Sequence, residues 1–189
     1  MIERFRLASG NAGKARELGR LLGRPVEPIA DWVGPPEDAD SFVENARIKA
    51  RAGATACPDE WVIADDSGLE VDALDGEPGV NSARYGGPGL DDADRCALLL
   101  RNLADHDQRA ARFRCVLVAL GPNGEETIAE ASLEGAIVEA ARGEGGFGYD
   151  PVFAPAGSQR TCGELAPAEK DAISHRGAAV RLLRATLEL

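Results

Sequence analysis

Two adjacent aspartates, Asp65 and Asp66, follow an apolar run in the stretch VIADDSGLEV, residues 62–71. If this stretch is a β-strand, neighbouring side chains point to opposite faces, so one carboxylate must point toward whatever the strand packs against. Burying a carboxylate costs free energy unless the group meets a metal ion, a hydrogen-bond donor or a cation. Asp, Ser and Gly also favour turns, so these ten residues alone leave a turn equally open.

A glycine-rich segment, SGNAGK at Ser9–Lys14, lies between a predicted strand and a predicted helix. N–H groups at a helix start favour phosphate, and glycines allow close approach of the backbone. The segment is not a Walker A loop, because Gly10 and Gly13 enclose two residues instead of four and Ala15 replaces the Ser/Thr ligand of magnesium. A glycine-rich turn that caps a helix is the alternative interpretation.

Three further segments combine residue types that could bind a nucleotide. They are FVENARIKA (residues 42–50), GGFGYDP (145–151) and EKDAISHR (169–176). The first places Asn45 and Lys49 one helical turn apart with Glu44 beside them, although a solvated helix face has the same pattern. The second carries two aromatic rings that could stack on a base or anchor the loop to the core. The third combines a lysine, a histidine and an arginine.

The basic residues are unevenly divided between the two types. Of the 21 Lys and Arg residues, three are lysines, at positions 14, 49 and 170, and all three fall within these segments. A lysine is a compact, rotatable point charge, whereas an arginine is a planar fork. Together with the carboxylates and the aromatic residues, this pattern predicts a magnesium-dependent triphosphate site.

The composition excludes several classes of protein. A net charge of −11 would repel a nucleic-acid backbone, so we expect no polymer partner. With no run of about 20 apolar residues and no secretory signal, we expect no membrane association and a cytoplasmic location. The four cysteines form no CxxC pair, which favours reduced thiols. The length of 189 residues indicates one domain, residues 1–189.

Strand and helix patterns alternate early in the chain and a hairpin pattern follows, which predicts an α/β fold with a mixed sheet. The predicted strands are 5–8, 26–29, 61–64, 112–120 and 127–138; the predicted helices begin near residues 12, 41, 91 and 174. Asp91 and Asp94 occupy N-cap and N3 positions of the third helix, which indicates capping rather than a metal site.

The ordered segments SGNAGKARE, FVENARIKA, ADDSGLEVDALDGEPGVNSARYGG, GEGGFGYDPVF and EKDAISHR closely resemble the inosine triphosphate pyrophosphatase family over nearly the whole chain. The resemblance implies an elongated mixed sheet with flanking helices, two lobes around a nucleotide-binding cleft, and a homodimer. It also implies Mg²⁺-dependent hydrolysis of ITP, dITP and XTP to a nucleoside monophosphate and pyrophosphate. The acidic, Pro-rich loop at residues 31–40 is the main departure from the family and lies outside the matching segments, so it puts no catalytic role in doubt.

The resemblance assigns roles to individual residues. Glu44 and Asp66 would bind Mg²⁺, and Asp66 would also be the proton acceptor for the water that attacks the α-phosphorus. If Asp66 faces the cleft, strand alternation turns Asp65 to the other face, as a support or an outer-sphere ligand, and we expect Ser67 and Gly68 to let the chain turn away. The residues implied to bind substrate are Ser9, Gly10, Asn11, Ala12, Gly13, Lys14, Ser67, Phe147, Gly148, Tyr149, Asp150, Lys170, His175 and Arg176.

Two alternatives remain open at this point. A Maf-type pyrophosphatase would act on pyrimidine nucleotides, although the SHR and FGYD segments argue against it. A non-catalytic nucleotide-binding protein could use a similar pocket, but it would have no need of carboxylates arranged for magnesium.

Overall fold

A computed structural model describes residues 2–189 and shows one six-stranded sheet with flanking helices. The strands are β1 (Phe5–Leu7), β2 (Val26–Pro28), β3 (Val62–Val71), β4 (Ala110–Leu120), β5 (Glu126–Ile137) and β6 (Phe153–Pro155). The helices are α1 (Ala12–Leu22), α2 (Phe42–Ala56), α3 (Asp92–Asn102), α4 (Pro167–Ile173) and α5 (His175–Thr186). The strand order is β2-β1-β3-β4-β5-β6, with β1 parallel to both of its neighbours and β6 antiparallel to β5. The predicted α/β fold with a mixed sheet is confirmed.

Side-chain caps explain where the helices begin. The Ser41 side chain accepts a hydrogen bond from the Glu44 N–H and starts α2. Asp91 and Asp94 form a reciprocal capping box at the start of α3, so the prediction of capping in that acidic cluster is confirmed.

Strand β3 runs further than the sequence predicted. It continues without a break through both aspartates to Val71, so Ser67 and Gly68 do not turn the chain away. The prediction of a turn at these two residues is therefore wrong. The uninterrupted strand has a chemical consequence, because the side chains of Asp65 and Asp66 must point to opposite faces of the sheet.

The chain divides into two compact units, each with its own apolar core. The first comprises the residues up to Asp66 together with Cys115–Ala131 and Arg176–Leu189, and the second comprises Ser67–Arg114 and Ser132–His175. Fully buried side chains of the first core include Phe5, Leu18, Leu117 and Leu183; those of the second include Leu69, Leu99, Leu103 and Phe153. Each such side chain contributes roughly 1.5–3 kcal/mol through its removal from water.

All four cysteines are free thiols. Cys96, Cys115 and Cys162 are buried, whereas Cys57 is partly exposed. Burial raises the pKa of Cys96 to about 11 and that of Cys162 to about 12, so both are held as thiols. No helix within residues 2–189 is long and apolar enough to span a membrane.

Candidate functional site

The glycine-rich segment forms the start of α1, as the sequence predicted. Asn11 caps the helix, because its side-chain oxygen lies 2.8 Å from the Gly13 nitrogen and 3.1 Å from the Lys14 nitrogen. Ser9 supports this turn by accepting a hydrogen bond from the Asn11 N–H. Gly10, Asn11 and Ala12 are exposed. A phosphate bound here would compete with the Asn11 carboxamide for two of the N–H donors at the helix start.

Lys14 points from α1 to the first of the two aspartates. Its ammonium lies 2.5 Å from Asp65 Oδ1 and is still 16% exposed, whereas the Asp65 side chain is fully buried. The other Asp65 oxygen lies 2.7 Å from the Arg176 guanidinium, which also reaches Glu17 at 2.8 Å. Burial alone would raise the pKa of Asp65, but Arg176 and Lys14 hold it well below its usual range. Asp65 therefore fixes the position of Lys14.

Asp66 lies on the opposite face of β3 and meets a different lysine. Its Oδ1 lies 2.6 Å from Lys49 Nζ, and the same ammonium donates to Glu37 at 2.8 Å and to the Asp65 carbonyl at 2.9 Å. Burial raises the pKa of Asp66 to about 6, although Lys49 opposes the shift. Within residues 2–189, the buried Asp66 Oδ2 has no hydrogen-bond partner. Asp66 thus keeps one oxygen without a hydrogen bond among the described residues, on a carboxyl whose pKa is raised by burial.

These carboxylates can be tested as a metal site. Glu44 is half exposed at the start of α2 and pairs with Arg47 at 2.6 Å. No cluster of three or more potential metal ligands occurs within residues 2–189. Mg²⁺ nevertheless keeps several waters and needs only one or two carboxylates besides substrate phosphates. The unpartnered oxygen of Asp66 meets that requirement, so the donor set fits a hard divalent cation.

The second unit contains the aromatic loop and the third lysine. Lys170 lies 2.5 Å from Asp150 Oδ2 and 4.7 Å from the centroid of the Phe147 ring. The same Asp150 oxygen accepts a hydrogen bond from the Phe147 N–H at 2.8 Å. Asp150 is buried and Phe147 partly exposed, so the carboxylate orders the loop and leaves a half-covered ring with a cation above it.

Other predicted substrate residues are more deeply placed. Tyr149 is 5% exposed and donates its hydroxyl hydrogen bond to the Ser82 carbonyl at 2.9 Å, which makes it an anchor of the loop. The His175 ring is 5% exposed and stacks on Phe113 with centroids 4.9 Å apart. Ser67 and Gly148 are partly exposed.

Arg176 is the predicted substrate residue that lies furthest from solvent. It is 1% exposed, and its guanidinium pairs with Asp65 and Glu17. In this arrangement its guanidinium contacts Asp65, and Asp65 in turn contacts Lys14.

Two acidic residues of this arrangement were missed by the sequence reasoning. Glu17 is buried on α1 against Arg176. In the sequence, a glutamate at this position looks like an ordinary polar residue of an amphipathic helix. Glu37 belongs to the loop outside the matching segments, where no residue was assigned a role, and it pairs with Lys49. The signal that could have indicated Glu37 was its place in a Pro-rich loop that ends at the N-cap of α2.

Comparisons with known proteins agree with the fold and with the order of the segments. The model of the Ham1 family matches residues 5–186. The dITP/XTP pyrophosphatase of Thioalkalivibrio sulfidiphilus is 50% identical over 193 residues, covering 96% of this chain and 97% of that protein. The corresponding protein of Thermosynechococcus vestitus is 47% identical, covering 94% and 92%.

Solved structures show the same architecture. The Ham1 protein of Coxiella burnetii is 40% identical and superposes with a TM-score of 0.89, covering 100% of this chain and 99% of that one. The Staphylococcus aureus Ham1 protein is 39% identical with a TM-score of 0.87 and 98% coverage of both chains.

Proposed function

Since the chain belongs to the Ham1 family, we propose that it is a nucleoside triphosphate pyrophosphatase that hydrolyses non-canonical purine nucleoside triphosphates, ITP, dITP and XTP, with Mg²⁺. The products would be a nucleoside monophosphate and pyrophosphate. The relatives named dITP/XTP pyrophosphatases support this proposal, since they match almost the whole chain at up to 50% identity. The observation that carries it is the buried Asp66 carboxylate, whose Oδ1 lies 2.6 Å from the Lys49 ammonium and whose Oδ2 has no hydrogen-bond partner in the described part of the chain.

The first unit supplies groups for the chemistry at phosphorus. Asp66 Oδ2 would accept the proton from the water that attacks the α-phosphorus, and Lys49 holds the carboxylate in place through the other oxygen. A divalent metal ion, held by Asp66 and Glu44, would neutralise phosphate charge and lower the pKa of a bound water. Lys14 would neutralise the charge that develops on the phosphates, while the start of α1 donates N–H groups to them.

The position of Lys14 depends on residues behind it. Asp65 accepts hydrogen bonds from both Lys14 and Arg176, so the ammonium is anchored without losing its partial exposure. The Lys14 ammonium is a compact charge on a flexible side chain, and this suits a phosphate whose charge shifts during the reaction. For this reason we propose that Asp65 and Arg176 position Lys14.

The second unit supplies groups suited to a base and its phosphates. Phe147 offers a half-covered ring for stacking, and Lys170 next to it offers a cation. Hypoxanthine and xanthine carry an acceptor oxygen at C6, where adenine carries an amino donor. A donor aimed at that oxygen would reject ATP by leaving a buried group unpaired, which can be worth ~10⁴-fold in specificity.

A release assay for pyrophosphate tests the proposal. The wild-type protein with Mg²⁺ should cleave ITP, dITP and XTP far faster than ATP or GTP, and Asp66→Asn should lower kcat by at least ~10²-fold because it removes the proton acceptor. Failure to release pyrophosphate from any nucleotide would point to a non-catalytic binding protein. Preference for UTP or dUTP would point to the pyrimidine-specific alternative.

A further inference from the structure

Helix α3 binds both backbone polar groups of Gly148, a residue of the aromatic loop at residues 145–151. Asp92 Oδ2 accepts a hydrogen bond from the Gly148 N–H at 2.7 Å, and Cys96 Sγ donates to the Gly148 carbonyl at 3.4 Å. The two side chains are four residues apart, so they lie on the same face of the helix. One helix face therefore fixes the orientation of the backbone at Gly148.

The protonation state of Cys96 and the conformation of Gly148 both favour this arrangement. Burial, reinforced by the Asp92 and Asp150 carboxylates, raises the pKa of Cys96 to about 11, so the thiol keeps the proton that it donates. Gly148 has a φ of +62°, a left-handed conformation that glycine adopts without the steric cost of a Cβ. A glycine at this position can therefore hold the conformation in which both groups bond to α3.

The Asp92 carboxylate bonds to the loop instead of capping its own helix. The cap of α3 is the reciprocal pair of Asp91 and Asp94, each of which accepts a hydrogen bond from the backbone N–H of the other. A hydrogen bond from an N–H to a carboxylate is shorter and stronger than one between neutral groups, and a thiol is a weak donor. Asp92 therefore makes the stronger of the two bonds from α3 to Gly148.

The neighbours of Gly148 are bound to other parts of the second unit. The Phe147 N–H donates to Asp150 Oδ2, and the Tyr149 hydroxyl donates to the Ser82 carbonyl. The Phe147 side chain is nevertheless partly exposed, so its ring keeps a surface on which a base could stack. The place of that ring depends on the backbone of the glycine that follows it.

We propose that Asp92 is a positioning residue of the nucleotide site, which sets the place of the Phe147 ring through the backbone of Gly148. This inference rests on the proposed function, which it deepens by adding to the base-binding loop a residue of α3 that lies outside the segments resembling the family. Asp92 acts without contact with the nucleotide. Because its bond to Gly148 orders the loop beforehand, less conformational freedom is lost when a base stacks on the ring.

Calorimetric titration with Mg²⁺ and a non-hydrolysable α,β-methylene analogue of ITP tests this role. Asp92→Ala should raise the Kd for the analogue ~10-fold, because the loss of a hydrogen bond to a charged group leaves the loop to be ordered during binding. Asp92→Asn keeps an acceptor oxygen for the Gly148 N–H and should recover most of that affinity. A Kd for Asp92→Asn as high as that for Asp92→Ala would assign the effect to charge alone and overturn the proposal.

Asp94→Ala is the matched control, because it removes another exposed carboxylate from the first turn of the same helix. This variant loses the capping box and should have a lower free energy of unfolding, while its Kd for the analogue should equal that of wild type. A similar rise in Kd for Asp94→Ala and Asp92→Ala would mean that the stability of α3 is responsible, which contradicts a specific role of Asp92.

Fluorine NMR follows the Phe147 ring directly in the nucleotide-free protein. The chain has five phenylalanines, and in protein labelled with 4-fluorophenylalanine the variant Phe147→Leu identifies the signal of this residue. That signal should shift or broaden in Asp92→Ala and keep its wild-type position in Asp94→Ala. An unchanged Phe147 signal in Asp92→Ala overturns the proposal.

The two measurements distinguish failure of the inference from failure of the proposed function. If wild type and Asp92→Ala bind the analogue equally well, the role of Asp92 is overturned and the proposed function stands. If the wild type binds no analogue while the Phe147 signal still moves in Asp92→Ala, the proposed function is overturned, and with it the role of Asp92 in a nucleotide site.

Discussion

At the scale of single residues, the two adjacent aspartates have opposite electrostatic environments. Asp65 meets two cations, which hold its pKa well below the usual range despite its burial, whereas burial raises the pKa of Asp66 to about 6. A low pKa suits a residue that must stay charged to position Lys14. A pKa nearer neutrality suits a proton acceptor. One uninterrupted strand produces both environments, since it sends neighbouring side chains to opposite faces.

This difference predicts opposite effects of pH on two matched variants, measured by urea unfolding in EDTA. The folded pKa of Asp66 lies above its ordinary value of 3.8, so the folded protein holds more protons than the unfolded one between about pH 4 and pH 6. The Asp66 carboxyl therefore lowers the free energy of unfolding as the pH rises through that window. Asp66→Asn escapes this loss and should become more stable than wild type, on the order of 2 kcal/mol above the window.

Asp65→Asn should show the reverse. The folded pKa of Asp65 is depressed, so its contribution to stability is present above the ordinary value of 3.8 and is lost as the pH falls toward the folded pKa. The variant should be less stable than wild type near neutrality, and the deficit should shrink in acid. The same slope with pH for both variants would contradict the assignment of the two faces.

A second prediction at this scale concerns Gly146 in the aromatic loop. Its φ is +78°, and a Cβ there would overlap Asp150 Oδ2, the oxygen that receives both Lys170 and the Phe147 N–H. Gly146→Ala should therefore raise the KM for ITP at least ~10-fold by displacing the loop.

Gly157→Ala is the matched control for that substitution. Gly157 has a φ of +77°, but a Cβ there would meet nothing within 4 Å. The two variants share the cost of a left-handed backbone, about 1 kcal/mol, and differ in the collision with Asp150. An equal effect of both variants on KM would contradict the role of Asp150 in ordering the loop.

At the scale of elements, the start of α5 is held by a buried ion pair. Arg176 follows the first residue of the helix and joins it to β3 through Asp65 and to α1 through Glu17. Arg176→Ala should lower the free energy of unfolding by about 3–5 kcal/mol, because it leaves the buried Glu17 carboxylate without its cation and Asp65 with Lys14 alone. Arg184→Ala, an exposed position on the same helix, should cost less than 1 kcal/mol in the same urea experiment.

The kinetics of an Arg176 variant test whether this residue positions Lys14 or contacts the base of the substrate. If the residue acts by positioning Lys14, Arg176→Lys should lower activity equally for ITP and XTP and leave the preference over ATP intact. A changed ratio of kcat/KM for ITP and ATP would indicate contact with the base, as the sequence-based assignment implied.

Element types were predictable from the sequence because their signals are local. The Asp91–Asp94 capping box and the leucine spacing of α1 act within a few residues, and both elements formed where expected. The path of β3 was not predictable in the same way. Asp, Ser and Gly at residues 65–68 have a local preference for turns, and tertiary pairing in the sheet overrides it.

The contacts of the candidate site were less predictable still. The resemblance grouped Arg176 with the substrate residues, but its partners are residues 111 and 159 positions away in the chain. The periodicity of a sequence carries no information about contacts between residues that lie so far apart in the chain. The same holds for Glu37, whose approach to Lys49 depends on two hydrogen bonds made by Asn45.

At the scale of the whole molecule, binding of the reactant should be visible as stability. A ligand that binds the folded chain alone stabilises it by about 2.7 kcal/mol at 100 times its Kd. Mg²⁺ with a non-hydrolysable α,β-methylene analogue of ITP should therefore raise the Tm by several degrees. Lys14→Ala should show a smaller rise at the same ligand concentration. An equal rise in both proteins would exclude Lys14 from phosphate binding.

The unequal burial of the four thiols makes the protein a reporter of its own unfolding. Cys57 should react with a maleimide in the native state, whereas Cys96, Cys115 and Cys162 are shielded and should react only after the surrounding core opens. A short labelling pulse followed by mass spectrometry would then count singly and fully modified chains. Because Cys115 belongs to the core of the first unit and Cys96 and Cys162 to that of the second, the modified positions would record which core opened first.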